Sequence, residues 1–563
     1  MRNASTMNGM NSVNSVIVVL SLVLGVGVPA AAAAPSGQTA ANVVVEVSFQ
    51  AEKPHPDPFG QINLEVVFTE PGGGSRTVPA FWAGGDQWKA RYASPVIGVH
   101  LYRTQCSDTT DAGLHGVEGQ IEVSPYTGPN ALFRHGPIRV DAEGRHFAHA
   151  DGTPFFWLGD TWWKNLCQRM TWEGFQELSA DRKAKGFSVI QIVCGPYPDE
   201  GFFEPRWENE GGMPSTAKDF STVNPAYFEF ADRRLRHIVD SGMVPAIVGA
   251  WGRRDCDAMQ AIGNAGLKRH WRNLVARYAA YPVVWILAGE IGDEVKWGSG
   301  PWAELAAYVR RIDPYHRPLT CHTSPGQGRR GADGDVSMID FDMVGGNHDA
   351  PTAVSEKTLA ILTAARAQLP PMPVLVGETC YEGHMQQGFQ DVQRHMFWMY
   401  LLSGAAGHTY GAAGVWHASV EGDPGVANVY DWTTWQEGMH YPGSTQLGMG
   451  KKLLEQYPWW RFEPHPEWVD PGCYAAGIPG EVCFVYQPRR NIYNWDGPVV
   501  KNLDPGVEWL ASYFDPATGR TFDQGVIPAQ AESGATEAQP VVFKRKVPSP
   551  QDWVLVLERA KPE

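Results

Sequence analysis

The stretch Pro373-Val374-Leu375-Val376-Gly377-Glu378-Thr379-Cys380-Tyr381-Glu382-Gly383 decides how the rest of the chain is read. A short Val-rich run between Pro and Gly has the pattern of a strand buried on both faces, and Glu378 ends it where such a strand meets water. A carboxylate is costly to desolvate there unless it has a partner or a chemical task, and a structural salt bridge is the plain alternative. Earlier, Val283-Val284-Trp285-Ile286-Leu287-Ala288-Gly289-Glu290 repeats the design, an apolar run closing on Gly-Glu. Two strand-end carboxylates on a chain that alternates strands and helices suggest a pair that flanks one bond.

Outward from these segments, strand patterns fall at 154–161, 187–193, 244–250, 283–290, 318–322, 341–347, 373–378 and 407–416. Helical patterns fall between them at 171–185, 225–240, 266–278, 301–312, 354–367 and 386–402. Eight strands, most followed by a helix, predict an α/β fold, a TIM (β/α)8 barrel over residues 135–458. An open doubly wound sheet is the alternative. It is disfavoured because Gly159-Asp160-Thr161-Trp162-Trp163 leads from the first strand into an aromatic loop, not a Gly-rich phosphate loop.

A barrel gathers the carboxyl ends of its strands on one face. That face is expected to collect Asp160, Trp251, Glu290, His322, Asn347, His348, Glu378, His408 and Tyr410, with Trp162, Tyr381, Glu382 and Trp416 from the adjoining loops. The set is polar and aromatic, as a hydroxyl-rich substrate requires. Each group has a plain reading beside the functional one. Asp160 either bonds sugar hydroxyls or caps its strand. Glu382 either binds substrate or orients Glu378, and His322, His348 and His408 are either ligands or hydrogen-bonded core histidines. Trp251 and Trp416 either stack on a sugar ring or line the barrel mouth. Asp293 and Glu294 are either loop residues or alternative acids to Glu290.

With 563 residues and 43% hydrophobic content, the chain has room for two or three domains with real cores. Forty-six Lys and Arg against 61 Asp and Glu leave a net charge of −15 without a long basic run, which argues against nucleic acid as a partner. Residues 1–34 have a basic start, the apolar core Val16 to Leu24 and an Ala-rich end, the layout of a secretory signal with the mature start near Ala34 or Pro35. No later stretch approaches the length of a membrane span, so a secreted or periplasmic protein is expected. The eight Cys are too few for a disulfide scaffold, although Cys473 and Cys483 flank a turn signal and a cross-hairpin disulfide is expected of them. No Cys/His spacing matches a zinc site, and neither metal nor cofactor is expected.

On either side of the barrel pattern, short alternating strands separated by turn clusters predict β-sandwiches, one over 42–125 and one over 465–560.

A terminal sugar is cleaved by a carboxylic acid that protonates the departing oxygen and a second carboxylate that attacks the anomeric carbon or activates water. Glu290 and Glu378 supply that pair. The motifs Phe156 to Trp163, Lys185-Gly186-Phe187, Trp285 to Glu290, Gly377 to Gly383 and Ser403 to Gly411 resemble the barrel of the apiosidase-like glycoside hydrolases, the DUF4038 or GH140 family. Pro79 to Gly85 with Trp88 is similar to the DUF5060 sandwich that precedes such barrels, and the C-terminal region resembles the domain labelled collagen-binding in related chains. The resemblance implies a retaining exo-hydrolase of a polysaccharide or oligosaccharide, with Glu290 as acid/base and Glu378 as nucleophile. Where the family commonly has Gly-Gly-Asp, this chain has Ala288-Gly289-Glu290, which moves the proton donor by about 1 Å. Two other readings are weighed: a carbohydrate-binding or adhesion protein on an inactive barrel, and a collagen-directed protein, for which no zinc-protease or serine-elbow motif is visible.

Overall fold

The computed structural model describes residues 36–198, 203–252, 256–291, 300–324, 328, 338–422, 432–529 and 541–560. The expected signal at 1–34 and the alternative acids Asp293 and Glu294 lie outside the described residues. At the centre is an eight-stranded parallel sheet: β1 (Trp157–Thr161), β2 (Val189–Val193), β3 (Val244–Val248), β4 (Val284–Ile286), β5 (Leu319–Thr320), β6 (Asp342–Gly345), β7 (Val374–Glu378) and β8 (Gly407–Tyr410). Hydrogen-bonded neighbours follow the order β5-β4-β3-β2-β1-β8-β7-β6, and a parallel bridge between His322 and Met343 brings the two edges together. Every residue of β2 and β3 is buried, as strands packed on both faces require.

Around the sheet run α1 (Trp172–Ala184), α2 (Pro225–Asp240), α3 (Ala258–Tyr278), α4 (Pro301–Ile312), α5 (Glu356–Ala367) and α6 (Gln390–Leu402). Side-chain caps start several of them: Thr171 accepts from the Gly174 N–H, Asn224 from Ala226 and Ser355 from Thr358. The helix read as starting at 266 begins at Ala258 and continues across Gly263, whose φ of 78° breaks the periodicity that the sequence reading relied on. The helix read from 386 starts at Gln390, because Met385 and Gln386 both take positive φ, 55° and 57°, in the preceding loop.

Two sheets precede the barrel, antiparallel except that Ser36–Ala40 runs parallel to Glu118–Ser124. Ser36–Ala40, Glu118–Ser124, Gly98–Cys106, Leu64–Thr69 and Ser75–Pro79 form one; Val45–Gln50, Gln87–Tyr92 and Phe81–Gly84 form the other. Ser75–Pro79 and Phe81–Gly84 lie in different sheets, and the chain passes between them at Ala80. Both sheets contribute to one core, where Phe68 stacks on Tyr92 at 4.0 Å between centroids. Arg91 ties this region to α2, its guanidinium 2.5 Å from Asp232, which also pairs with Arg277 of α3 at 3.0 Å.

After the barrel, a helix at Pro442–Leu454 leads to a six-stranded sheet and to the two-stranded ribbon of Asp496–Leu503 and Val541–Lys546. Arg394 on α6 binds Asp552 with two parallel 2.8 Å hydrogen bonds and anchors this region to the barrel. The expected Cys473–Cys483 disulfide does not form, and both thiols are free and buried. Strand register is the reason: Cys483 lies opposite Gly477 and Tyr474 opposite Tyr486, so Cys473 falls beyond the reach of Cys483 along the hairpin.

Candidate active site

Glu378 closes β7 among donors. Its Oε2 is 3.0 Å from Nε2 of His322, which follows β5, and its Oε1 is 3.3 Å from Nε2 of His348, which follows β6. Trp163, just past β1, donates its indole N–H to Oε1 at 3.3 Å and to the Tyr381 hydroxyl at 2.9 Å, while that hydroxyl also donates to Oε1. Burial by itself raises the pKa of Glu378, but the hydrogen bonds and charges of His322 and His348 outweigh it and hold the carboxyl well below the usual range. Burial and the Glu378 charge push the Tyr381 phenol well above its ordinary value, so it stays a donor. The Glu378 side chain keeps 12% of its exposure and His348 28%, so solvent reaches the carboxylate.

Glu290 follows β4 and is 8% exposed. Its Oε2 accepts from the indole N–H of Trp251 at 3.2 Å. The residue has φ 42°, a left-handed conformation that costs a non-glycine residue on the order of 1–3 kcal/mol and that clusters at functional sites. Gly289 beside it explains the Gly-Glu pattern: a Cβ there would lie 2.1 Å from the Trp251 ring. Likewise a Cβ at Gly377 would lie 2.1 Å from Met343. The two carboxylates are linked through aromatic rings. Trp163 meets Trp251 edge-on at 5.4 Å between centroids, and His322 packs against both, at 5.6 and 5.9 Å. A bound group that bridged them would therefore rest on indole and imidazole.

The rim beyond Glu378 is aromatic as well. His348 packs on Tyr381 at 4.6 Å and on His384 at 4.8 Å, and Trp416 stands 6.1 Å from Tyr381 and 5.8 Å from His384. Burial and the neighbouring His348 lower the pKa of His384 to about 3, so it is a neutral ring. Trp163 and His384 were absent from the expected site set, although Trp163 stands in the aromatic loop after the first strand. Trp163 shows in the alternation of a strand end, where the partner of an outward Trp162 turns inward. His384 lies in a loop without periodicity, and no sequence signal marks it.

Of the expected set, Glu290, Glu378, Trp251, His322, His348, Tyr381 and Trp416 come together. Asn347 follows β6, and its Oδ1 accepts from the Asp349 N–H at 2.8 Å, a turn-forming contact. Five expectations are corrected. Asp160 is fully buried, its Oδ2 bound by the Arg182 Nε–H at 2.6 Å and the Trp162 indole N–H at 2.7 Å, so it is the structural cap of its two readings. Trp162 packs outward against Phe175 of α1 at 5.4 Å. Tyr410 donates to Glu382 Oε2 at 2.6 Å, and Glu382 Oε1 accepts from the Gly443 N–H at 3.1 Å. Glu382 is fully buried, and both residues join the helix Pro442–Leu454 to the barrel and not to the site. His408 is buried between Phe397 and Tyr400 of α6, 5.6 and 6.3 Å away, and burial lowers its pKa to about 3. For Asp160, Trp162, His408 and Tyr410 the reason is that successive residues along a strand face opposite ways, and these face the helices; Glu382 lies past the end of β7, in the loop that packs on the helix Pro442–Leu454.

Among the described residues, no group of three or more His, Cys, Asp or Glu could hold a metal ion, and no helix is long and apolar enough to cross a membrane.

A family model for an apiosidase-like catalytic domain matches residues 141–461, and a model for DUF5060, a domain of unknown function, matches 42–107. Among solved structures, one named as a glycoside hydrolase is 21% identical with a TM-score of 0.63, over 78% of this chain and all of its own. A Bacteroides vulgatus protein assigned to the glycoside hydrolases is 20% identical with a TM-score of 0.71, over 93% of this chain and all of its own. A family 5 glycoside hydrolase from Bacteroides vulgatus is 19% identical with a TM-score of 0.59, over 77% of this chain and 95% of its own. No curated protein matches the chain.

Proposed function

Since the chain belongs to the apiosidase-like glycoside hydrolases, we propose that it cleaves a terminal sugar from a polysaccharide or oligosaccharide by double displacement, with Glu378 as nucleophile and Glu290 as general acid/base. The observation that carries this reading is the environment of Glu378. Donors from His322, His348, Trp163 and Tyr381 favour the ionised form, and a nucleophile must be ionised before substrate arrives. Glu290 has a different environment: it is buried, accepts the Trp251 indole N–H and sits on strained backbone. Two carboxyls in unlike surroundings are the usual basis for dividing the nucleophile and acid roles.

In the first step Glu378 attacks the anomeric carbon while Glu290 protonates the departing oxygen. In the second, Glu290 takes a proton from water, which displaces Glu378 and restores the starting configuration. Trp416, at the rim, offers an apolar face to the sugar, while the buried Trp163 and Trp251 donate their indole N–H groups to the two carboxylates. We read the flanking antiparallel regions as β-sandwich domains over 42–125 and 465–560 around a barrel over 135–458, and residues 1–34 as an export signal. Family membership disfavours the inactive-barrel reading.

The test is proton NMR of the product anomer released from a panel of aryl glycosides, with Glu378→Gln and Glu290→Gln beside the wild type. Net retention, with activity lost in both variants, supports the proposal. Inversion, or unchanged hydrolysis by Glu378→Gln, overturns it.

A further inference from the structure

Away from the barrel site, the C-terminal region displays aromatic side chains to water. The loop Pro488-Arg489-Arg490-Asn491-Ile492-Tyr493-Asn494-Trp495 leaves Ile492 55%, Tyr493 82% and Trp495 46% exposed. Buried cores need none of these exposures, and contiguous apolar groups with a polar rim mark binding surfaces. The loop is held in shape. The Gln487 side-chain amide donates to the Asp496 backbone carbonyl at 2.8 Å and closes its base, and the side-chain Oδ1 atoms of Asn491 and Asn494 accept from the Tyr493 and Asp496 backbone N–H groups at 2.8 Å. Its aromatic rings are therefore presented with little left to order on binding.

The loop also adjoins positive charge. The Val547 N–H donates to the Trp495 carbonyl at 3.0 Å, which places the loop at the end of the strand Val541–Lys546. On that strand Val542, Lys544 and Lys546 alternate with Phe543, so they share the face away from the core, and all three are exposed. Arg489 and Arg490 are exposed on the loop itself. Among the described residues none of these four cations is held in an ion pair; Arg490 donates to the Cys473 sulfur at 3.8 Å, and the carboxylate Asp496 lies opposite Lys546 in the ribbon. On a chain of net charge −15, a basic and aromatic surface selects a ligand that is itself anionic and that offers apolar ring faces.

We propose that this surface binds a uronate-bearing polysaccharide: Tyr493 and Trp495 stack on sugar rings while Arg489, Arg490, Lys544 and Lys546 meet carboxylates. The binding is separate from cleavage and does not depend on the roles of Glu290 and Glu378. The full chain, as wild type and as Glu378→Gln, is run in native gels containing alginate or polygalacturonate, neutral galactomannan, or dextran sulfate. Expected is retardation in the uronate gels but not in galactomannan, weakened about tenfold in apparent affinity by Trp495→Ala or Tyr493→Ala. Trp495→Phe should keep it, Lys544→Glu with Lys546→Glu should remove it, and added salt should reduce it. Melting temperatures within a degree or so of the parent show that the variants remain folded. Absence of retardation overturns the proposal. So does equal retardation by dextran sulfate that ignores Tyr493 and Trp495, or tighter binding to DNA or to phosphatidylglycerol vesicles in the same assay.

Discussion

Glu378 is proposed as the nucleophile because of what surrounds it. With a folded-state pKa below its unfolded value, it is ionised above that folded value, and its contribution to stability is lost as pH falls through it. His322→Ala removes a bond to the charged form, so the pKa rises and the acidic limb of kcat/KM moves to higher pH; a pH profile unchanged from the wild type would contradict the assignment. Replacing the group altogether, Glu378→Gln, should lower kcat by about 10³-fold or more with the fold intact, as read by steady-state kinetics and circular dichroism. Both glutamates were legible in the sequence, since Gly-Glu after a Val-rich run marks a strand end reaching solvent. Their neighbours were less so. Trp162 and Trp163 are adjacent and chemically identical, and only the pleat assigns one to the helix layer and the other to the carboxylate.

Strands and helices explain where the sequence reading succeeded and where it went astray. The barrel strands were visible as apolar runs, and α2 and α4 start at prolines, Pro225 and Pro301, which suit the first helical position. Which way a polar residue near a strand end faces is set by register, which composition does not encode; β8 shows the consequence. His408 and Tyr410 alternate with Thr409 and turn toward α6 and α1, so a strand that reads as site-lining is structural. His408 has a folded pKa of about 3 against 6.5 unfolded, so the unfolded chain binds the extra proton and stability falls as pH drops below 6.5. The cost is about 2 kcal/mol at pH 5. His408→Leu should therefore flatten the loss of Tm between pH 7 and pH 5, measured by scanning fluorimetry; an acid-side slope equal to that of the wild type would refute this. Glu382 behaves oppositely. Burial raises it to about 7, so ionisation in the unfolded chain favours unfolding as pH climbs from 4.5 toward 7, and Glu382→Gln should raise Tm more at pH 8 than at pH 5.

Across the whole molecule, the barrel is joined to its neighbours by buried charge pairs. Arg394 is 8% and Asp552 5% exposed, so Arg394→Ala strands a buried carboxylate and should cost about 3–5 kcal/mol, seen in calorimetry as a lower or split transition. Such pairs were illegible in the sequence, since their members lie 158 positions apart. The same holds for the basic surface around Trp495, assembled from two segments that look unremarkable separately. The central claim, that Glu378 attacks the sugar and Glu290 handles the proton, is tested most directly by azide rescue of Glu378→Gly and Glu290→Gly on an aryl glycoside that the wild type cleaves. The expected result is a glycosyl azide of inverted configuration from Glu378→Gly and of retained configuration from Glu290→Gly, assigned by NMR. The reverse pattern, or wild-type hydrolysis by Glu378→Gly without azide, would contradict it.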